Sequence, residues 1–214
     1  MKIFSYYNSK INTLGDILGV KVGCFETSVG YSCLYAGVCS CYVDEKPNGA
    51  RYILRKGAIR CFASMSEVRF PEVFNKRRIN TVLAKSKEFY EIAFRELKQE
   101  RFQVFRPHSA GDYWTMQEYL DWRNLAGHFP DVMFFGYTKN PHVFDHLMSH
   151  PVDNYKLVYS WGGIEDQTVK HVEPICYIKG KGLYVPDDVP VINLSAGEDY
   201  QYIITGRSFA IPYH

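Results

Sequence analysis

Residues 102–138 read FQVFRPHSAGDYWTMQEYLDWRNLAGHFPDVMFFGYT. Residues 102–108 are typical of a short strand, and residues 131–138 form a run that is apolar on both faces of a strand. Between them, Thr115 and Glu118 have the spacing of a capping box, in which two side chains bond the backbone where a helix begins. A strand, a helix and a strand joined by short loops predict a right-handed parallel crossover.

The same alternation continues toward the C-terminus. Asn140 and Pro141 are typical of the start of a helix, which we expect to end near His150. Further strands are expected at residues 155–161, 172–178 and 189–194. On the N-terminal side, helices are expected after Pro71 and from about residue 86 to 100. The sequence therefore predicts one α/β domain over residues 1–214, either a partial (β/α) barrel or an open, mostly parallel sheet.

Cysteines are concentrated near the N-terminus. Four of the six lie within 18 residues, and they are Cys24, Cys33, Cys39 and Cys41. Clustered thiols bind zinc, hold iron–sulfur clusters or form disulfides. The N-terminus shows no apolar signal core, so we expect a cytosolic protein, in which structural disulfides are rare. The spacing matches neither zinc fingers nor bacterial ferredoxins, and free buried cysteines are the alternative.

We expect residues 1–50 to form a Cys-rich loop region, with one or two short strands, that binds a metal and packs on the α/β core. Cys61 is the first substitute if one of the four cysteines is not a ligand.

Polar side chains follow the predicted strands where those strands end. The candidates for binding or catalysis are His108, Asp112, Thr138 and Lys139. Active sites of parallel α/β folds lie at this edge of the sheet. A histidine there could move protons near neutral pH, an aspartate could orient it, and a lysine could bind phosphate or carboxylate. The alternatives are a buried, hydrogen-bonded histidine, an aspartate that caps a loop and a surface lysine.

The third predicted strand ends in a glycine turn that we expect to bind a cofactor, with candidates Ser160, Gly162 and Gly163. We further expect alanine at His108 or Asp112 to abolish function with little loss of stability. The cysteine loop should cover this strand-end site.

Residues 51–106 carry more Lys and Arg than Asp and Glu, whereas residues 107–214 carry more Asp and Glu than Lys and Arg. The candidates for nucleic-acid contacts in this basic segment are Arg51, Arg55, Lys56, Arg60, Lys76, Arg77 and Arg78. An exposed basic face attracts a phosphate backbone. A solvated helix face is the alternative.

Residues 105–122 and 130–139 resemble the phage "gene product 88" family. That family has an Arg-x-His-x-x-Gly-Asp stretch, here at residues 106–112, followed by an aromatic helix that ends near Trp122 and a later Tyr-Thr-Lys or Tyr-Thr-Arg. Its upstream cysteine cluster ends in Cys-Tyr, as at residues 41–42 here. Together these features resemble a diverged radical-SAM barrel.

That resemblance implies an iron–sulfur cluster on three thiolates, with S-adenosylmethionine at the open iron. The Cys-x3-Cys-x2-Cys motif of radical-SAM proteins is absent, and Cys176 is the one cysteine near the C-terminus.

Two functions follow. The first is a phage-type protein of the host cytosol whose cysteine-ligated iron–sulfur or zinc centre acts beside a site that binds or modifies a nucleotide or nucleic acid, by radical-SAM-like chemistry. The alternative is a zinc-stabilised binding module, without enzymatic activity, that acts on a host protein or nucleic acid. No apolar run approaches the length of a membrane span, so we expect no membrane partner.

Overall fold

The computed structural model describes residues 2–5, 8–171, 173–180, 182–192 and 197–212. Within these residues the strands are β1 (Val22–Glu26), β2 (Cys41–Glu45), β3 (Arg51–Arg55), β4 (Val104–Ala110), β5 (Met133–Thr138), β6 (Tyr155–Ser160), β7 (Ile175–Lys179) and β8 (Phe209–Pro212). The helices are α1 (Ser9–Leu18), α2 (Phe62–Arg69), α3 (Pro71–Ala84), α4 (Phe89–Glu100), α5 (Met116–His128), α6 (Pro141–Ser149) and α7 (Glu198–Ile204), with a short 3-10 helix at Asp166–Thr168.

Six strands form one sheet in the order β1-β4-β5-β6-β7-β8, and every neighbouring pair is parallel. Phe105 lies opposite Phe134, which lies opposite Tyr155 in the next strand. This confirms the predicted α/β class and the parallel neighbours β4, β5 and β6. Of the two predicted forms, the open sheet is the one observed, because β1 and β8 stay as edges instead of pairing into a barrel.

The helices that follow β4 and β5 begin where the capping residues predict. Thr115 Oγ1 accepts a hydrogen bond from Glu118 N at 3.1 Å at the start of α5. Asn140 Oδ1 accepts from His142 N and Val143 N at the start of α6. These bonds satisfy backbone N–H groups that have no partner inside the helix.

Both faces of the sheet are buried under helices. On one face Phe105 and Phe134 pack with Trp122 of α5 and Phe144 of α6. On the other face the apolar side chains of β1 and β4 to β8 pack with α1 and α7. Burial on two sides explains why the strands are apolar at successive positions, and each buried aromatic contributes roughly 2–3 kcal/mol.

The N-terminal quarter is more ordered than the sequence indicates. The expected loop-rich region contains the helix α1, the sheet strand β1 and the strand β2, which pairs antiparallel with β3. The short elements α2, α7 and β8 are also unpredicted, because their patterns span too few residues to be periodic. The predicted strand 172–178 forms as β7, and the predicted strand 189–194 extends partly outside the described residues. No helix in the described ranges is long and apolar enough to cross a bilayer.

Candidate functional site at the carboxyl edge of the sheet

A cavity of about 430 Å³ lies at the carboxyl ends of the central strands. The strand ends contribute residues 108–112, Thr138, Lys139 and Ser160 to its lining. The loop after β1 covers it with Cys33, Ala36 and Cys39, and Cys61 closes another side. The structure therefore brings the predicted strand-end residues to one place with two of the four clustered cysteines, Cys33 and Cys39. The volume is that of a small-molecule site.

The Gly162–Gly163 turn holds the cysteine loop in position. Val38 N donates to Gly162 O at 2.8 Å, and Ala36 pairs with Gly163 as an isolated antiparallel bridge. Both glycine N–H groups donate to the Asp166 carboxylate at 2.8 Å. Neither glycine lines the cavity, so the expected cofactor turn serves as an anchor for the loop above the site.

Cys24 lies apart from the other clustered cysteines. It is fully buried in β1, among the apolar residues that face α1 and α7, and burial raises the pKa of its thiol to about 12. Its place beside Cys33, Cys39 and Cys41 is taken by Cys61, the residue before α2. The geometry does not support the prediction that Cys24 is a metal ligand, because β1 directs its side chain into the core.

The four remaining thiols differ in how readily they ionise. Burial raises the pKa of Cys33 and of Cys39. A thiol–thiol hydrogen bond raises the pKa of Cys41 and lowers that of Cys61 to about 7. Amides at the start of α2 also stabilise the Cys61 thiolate. All six cysteines are free, and no three Cys, His, Asp or Glu side chains of the described residues are positioned to share one metal ion.

Asp112 ties the loop after β4 to the loop after β5. Its Oδ1 accepts from Thr138 Oγ1 at 2.8 Å and from Tyr113 N at 2.7 Å, and its Oδ2 accepts from Lys139 N at 2.8 Å. Burial raises the pKa of this carboxyl in spite of these bonds. These three hydrogen bonds fit the role of a structural clamp, so we now expect an alanine variant to lose stability, in contrast to the expectation from sequence.

The His108 side chain is also buried and surrounded by other side chains. Its Nε2 lies 2.9 Å from Glu118 Oε1, although this contact lacks the geometry of a hydrogen bond. Its Nδ1 lies 3.2 Å from Thr27 Oγ1, and its ring packs edge-on against Tyr113. Because its side chain is 0 % exposed, His108 has no direct route to solvent protons.

Lys139 is a candidate ligand-binding cation. Its Nζ donates to Ser160 O at 2.7 Å and to Trp161 O at 2.8 Å, which fixes the side chain against the end of β6. An ammonium has three N–H donors, so one stays available to a ligand in the cavity.

The basic segment does not form one exposed face. Arg77 is buried, with its guanidinium 3.4 Å from Glu26 and 3.3 Å from Glu67. Lys76 donates to Phe4 O and to Ser5 Oγ, and the Arg51 side chain is only 12 % exposed. The exposed members are Arg55, Lys56, Arg60 and Arg78. The prediction of one exposed basic face is wrong, because consecutive charged side chains on α3 point in different directions and some of them face the core.

Two further cations line the cavity without having been predicted. Lys10 extends from α1, and Arg106 belongs to β4. Arg106 stands in the Arg-x-His-x-x-Gly-Asp stretch, which is the one sequence signal that could have identified it. No local pattern places α1 over the strand ends, because that position depends on contacts between distant parts of the chain.

Comparison with curated proteins finds no match, and comparison with solved structures finds none. The family model described as "Gene product 88" matches residues 7–186, which include the cysteine loop, most of the residues that line the cavity, and strands β1 to β7. Because this match covers most of the chain, the protein belongs to the Gene product 88 family.

Proposed function

We propose that this protein holds a cysteine-ligated metal centre in the strand-end cavity and binds a nucleotide-like anionic substrate beside it. One observation carries the proposal: thiols from separate chain segments, Cys33, Cys39 and Cys61, line the same cavity as several cations. Thiolates bind zinc and iron–sulfur clusters, and cations bind phosphate. The substrate is a free nucleotide or the end of a nucleic acid.

We favour an iron–sulfur cluster over a single zinc ion. Zinc needs its sulfur ligands at about 2.3 Å from one point, and no three donors among the described residues are arranged that way. A cluster is larger and separates its ligands more widely. Cys33, Cys39 and Cys61 would hold it, and the Cys41 thiol would stay hydrogen-bonded to that of Cys61. When bound, such a cluster supplies electrons and, with three protein thiolates, one iron open to a ligand such as S-adenosylmethionine.

The side chains of this protein have distinct tasks in the proposal. Lys139 binds the anionic group from the β6 side, and the cysteine loop excludes water above it. Asp112 and Thr138 hold the two strand ends at a fixed separation. These roles need no proton transfer by His108, whose ring is enclosed.

The second candidate is a zinc-stabilised binding module without enzymatic activity. The enclosure of His108 and the full hydrogen bonding of Asp112 favour it, because neither of these acid–base candidates faces a ligand freely. In that case the cavity binds its ligand without reacting with it.

Metal analysis and a visible spectrum of protein purified without oxygen test the proposal. We expect a brown protein that contains iron and sulfide, and loss of the colour in Cys33→Ala, Cys39→Ala and Cys61→Ala. Cys24→Ala is the matched control and should keep the metal, since Cys24 lies in the core. A colourless protein with bound zinc would favour the binding module. A protein that takes up neither metal would overturn both.

A further inference from the structure

We infer that Lys10, Arg106 and Phe62 form a nucleotide subsite, in which the two cations hold a phosphate group and the ring stacks with the base. The inference deepens the proposed function and rests on it for the class of ligand, since it gives the nucleotide-like substrate its binding residues. It does not depend on the metal centre.

The three residues stand between two adjoining cavities. A second cavity, of about 540 Å³, lies beside the strand-end cavity. Lys10, Phe62 and Arg106 line both of them. A ligand that enters from either side therefore meets the same two cations and the same ring.

Positive charge at this point is only partly neutralised. Arg106 Nη1 lies 3.9 Å from Asp199 Oδ2, an oxygen that already accepts from Tyr137 Oη at 2.7 Å. Arg106 Nε is buried and has no hydrogen-bond partner in the described part of the chain. Lys10 has no carboxylate partner among those residues either, so two cations share one carboxylate.

The pKa of Lys10 is consistent with this excess of positive charge. Burial and the neighbouring Arg106 charge lower the pKa of its ammonium, and Asp199 offsets them only in part. Two partly buried like charges raise the free energy of the empty site. A bound phosphate would relieve that cost and would accept the unused N–H donors of Arg106.

Phe62 distinguishes a nucleotide from a bare anion. Phe62 lies at the start of α2 and lines both cavities, yet the residue as a whole is 62 % exposed. Lys10 Nζ lies 4.9 Å from the centre of the ring. An exposed aromatic ring beside a phosphate-binding cation pair is the arrangement that stacks a base while its phosphate is held.

Isothermal titration calorimetry at low salt tests the inference. The titrants are the four common nucleoside 5′-monophosphates, the matching nucleosides and inorganic phosphate. We expect at least one monophosphate to bind more tightly than phosphate and its nucleoside. Lys10→Met and Arg106→Gln should each weaken that binding by about tenfold or more, as expected when a charged hydrogen bond is lost.

Phe62→Ala should weaken binding of the monophosphate and leave that of phosphate unchanged. Lys46→Met is the control, because Lys46 is exposed in the β2–β3 turn and lines neither cavity. If Arg106→Gln does not fold, Lys10→Met alone still tests the inference. The inference would be overturned if none of the monophosphates and no phosphate bound. It would also be overturned if Lys10→Met left nucleotide binding unchanged.

Titration of protein stripped of metal by a chelator separates this inference from the proposed function. Nucleotide binding that survives the chelator supports the subsite even if no metal is ever found. Metal binding without nucleotide binding supports only the metal centre and overturns the subsite.

Discussion

His108 Nε2 lies 2.9 Å from Glu118 Oε1, and the two side chains are 0 % and 1 % exposed. The contact joins the end of β4 to the first turn of α5. Glu118 Oε2 also accepts from Trp114 N at 3.2 Å, so one carboxylate serves both the histidine and the helix start. The capping residue predicted from sequence thus has a second partner that sequence did not indicate.

We expect His108 and Glu118 to be strongly coupled in stability. Glu118→Gln and His108→Asn each leave a buried polar side chain without its close contact, which costs about 1–3 kcal/mol. Asn is chosen because residue 108 has a φ of 55°, which Asn tolerates better than most residues. In urea unfolding, a double-mutant cycle should give a coupling of about 1–3 kcal/mol. Additive single-variant costs would show that the pair does not interact.

Asp112→Ala should destabilise the fold. Three hydrogen bonds from Thr138, Tyr113 and Lys139 lose their acceptor, and unsatisfied buried donors cost about 3 kcal/mol together. Asp131→Ala is the matched control, because Asp131 is exposed and should change stability by less than about 0.5 kcal/mol. Equal unfolding midpoints for the two variants would contradict the clamp role.

Glu26 and Glu67 should respond to pH in opposite directions. Burial opposes ionisation of Glu26, but Arg77 and hydrogen bonds lower its pKa below 4.5 in the folded state. Its stabilisation is therefore complete above pH 4.5 and is lost as the pH falls through the folded pKa. Glu26→Gln should cost about 2 kcal/mol at pH 7 and less in acid.

Burial raises the pKa of Glu67 above 4.5. The native protein therefore gains stability as this carboxyl takes up a proton, from the folded pKa down to 4.5. The cost of Glu67→Gln should be small at pH 7 and should grow over that acid range. Urea unfolding of both variants between pH 3 and 8 checks the two signs. If the loss of stability changed with pH in the same way for both variants, Arg77 would affect the two carboxylates equally.

Gly111→Ala should disturb the strand-end loop. Gly111 has a φ of 87°, and an added Cβ would overlap Thr27 Oγ1. We expect a loss of about 2 kcal/mol or more in thermal or urea unfolding. The control is Gly127→Ala in α5, where a Cβ meets nothing within 4 Å and should stabilise by about 0.5–1 kcal/mol. A neutral Gly111→Ala would mean that this loop adjusts freely.

Local sequence signals predict the central part of the fold. Helix caps at Thr115 and Asn140 and strands that are apolar on both faces predict the succession β4, α5, β5, α6 and β6. Each of these signals acts within a few residues of the chain. Parallel strands share a carboxyl edge, so the meeting of Asp112 with Thr138 and Lys139 also followed from sequence. Their chemical role did not follow, because it depends on burial and on hydrogen-bond partners.

The cysteines and cations that face the cavity are selected by long-range packing. Cys24 is excluded because β1 is covered on both faces, and Cys61 enters because α2 begins beside the cysteine loop. Arg77 is buried between two acids, whereas Lys10 and Arg106 meet across about a hundred residues of chain. Such contacts arise when distant segments pack together, and no pattern within one helix or strand records which neighbour will cover it.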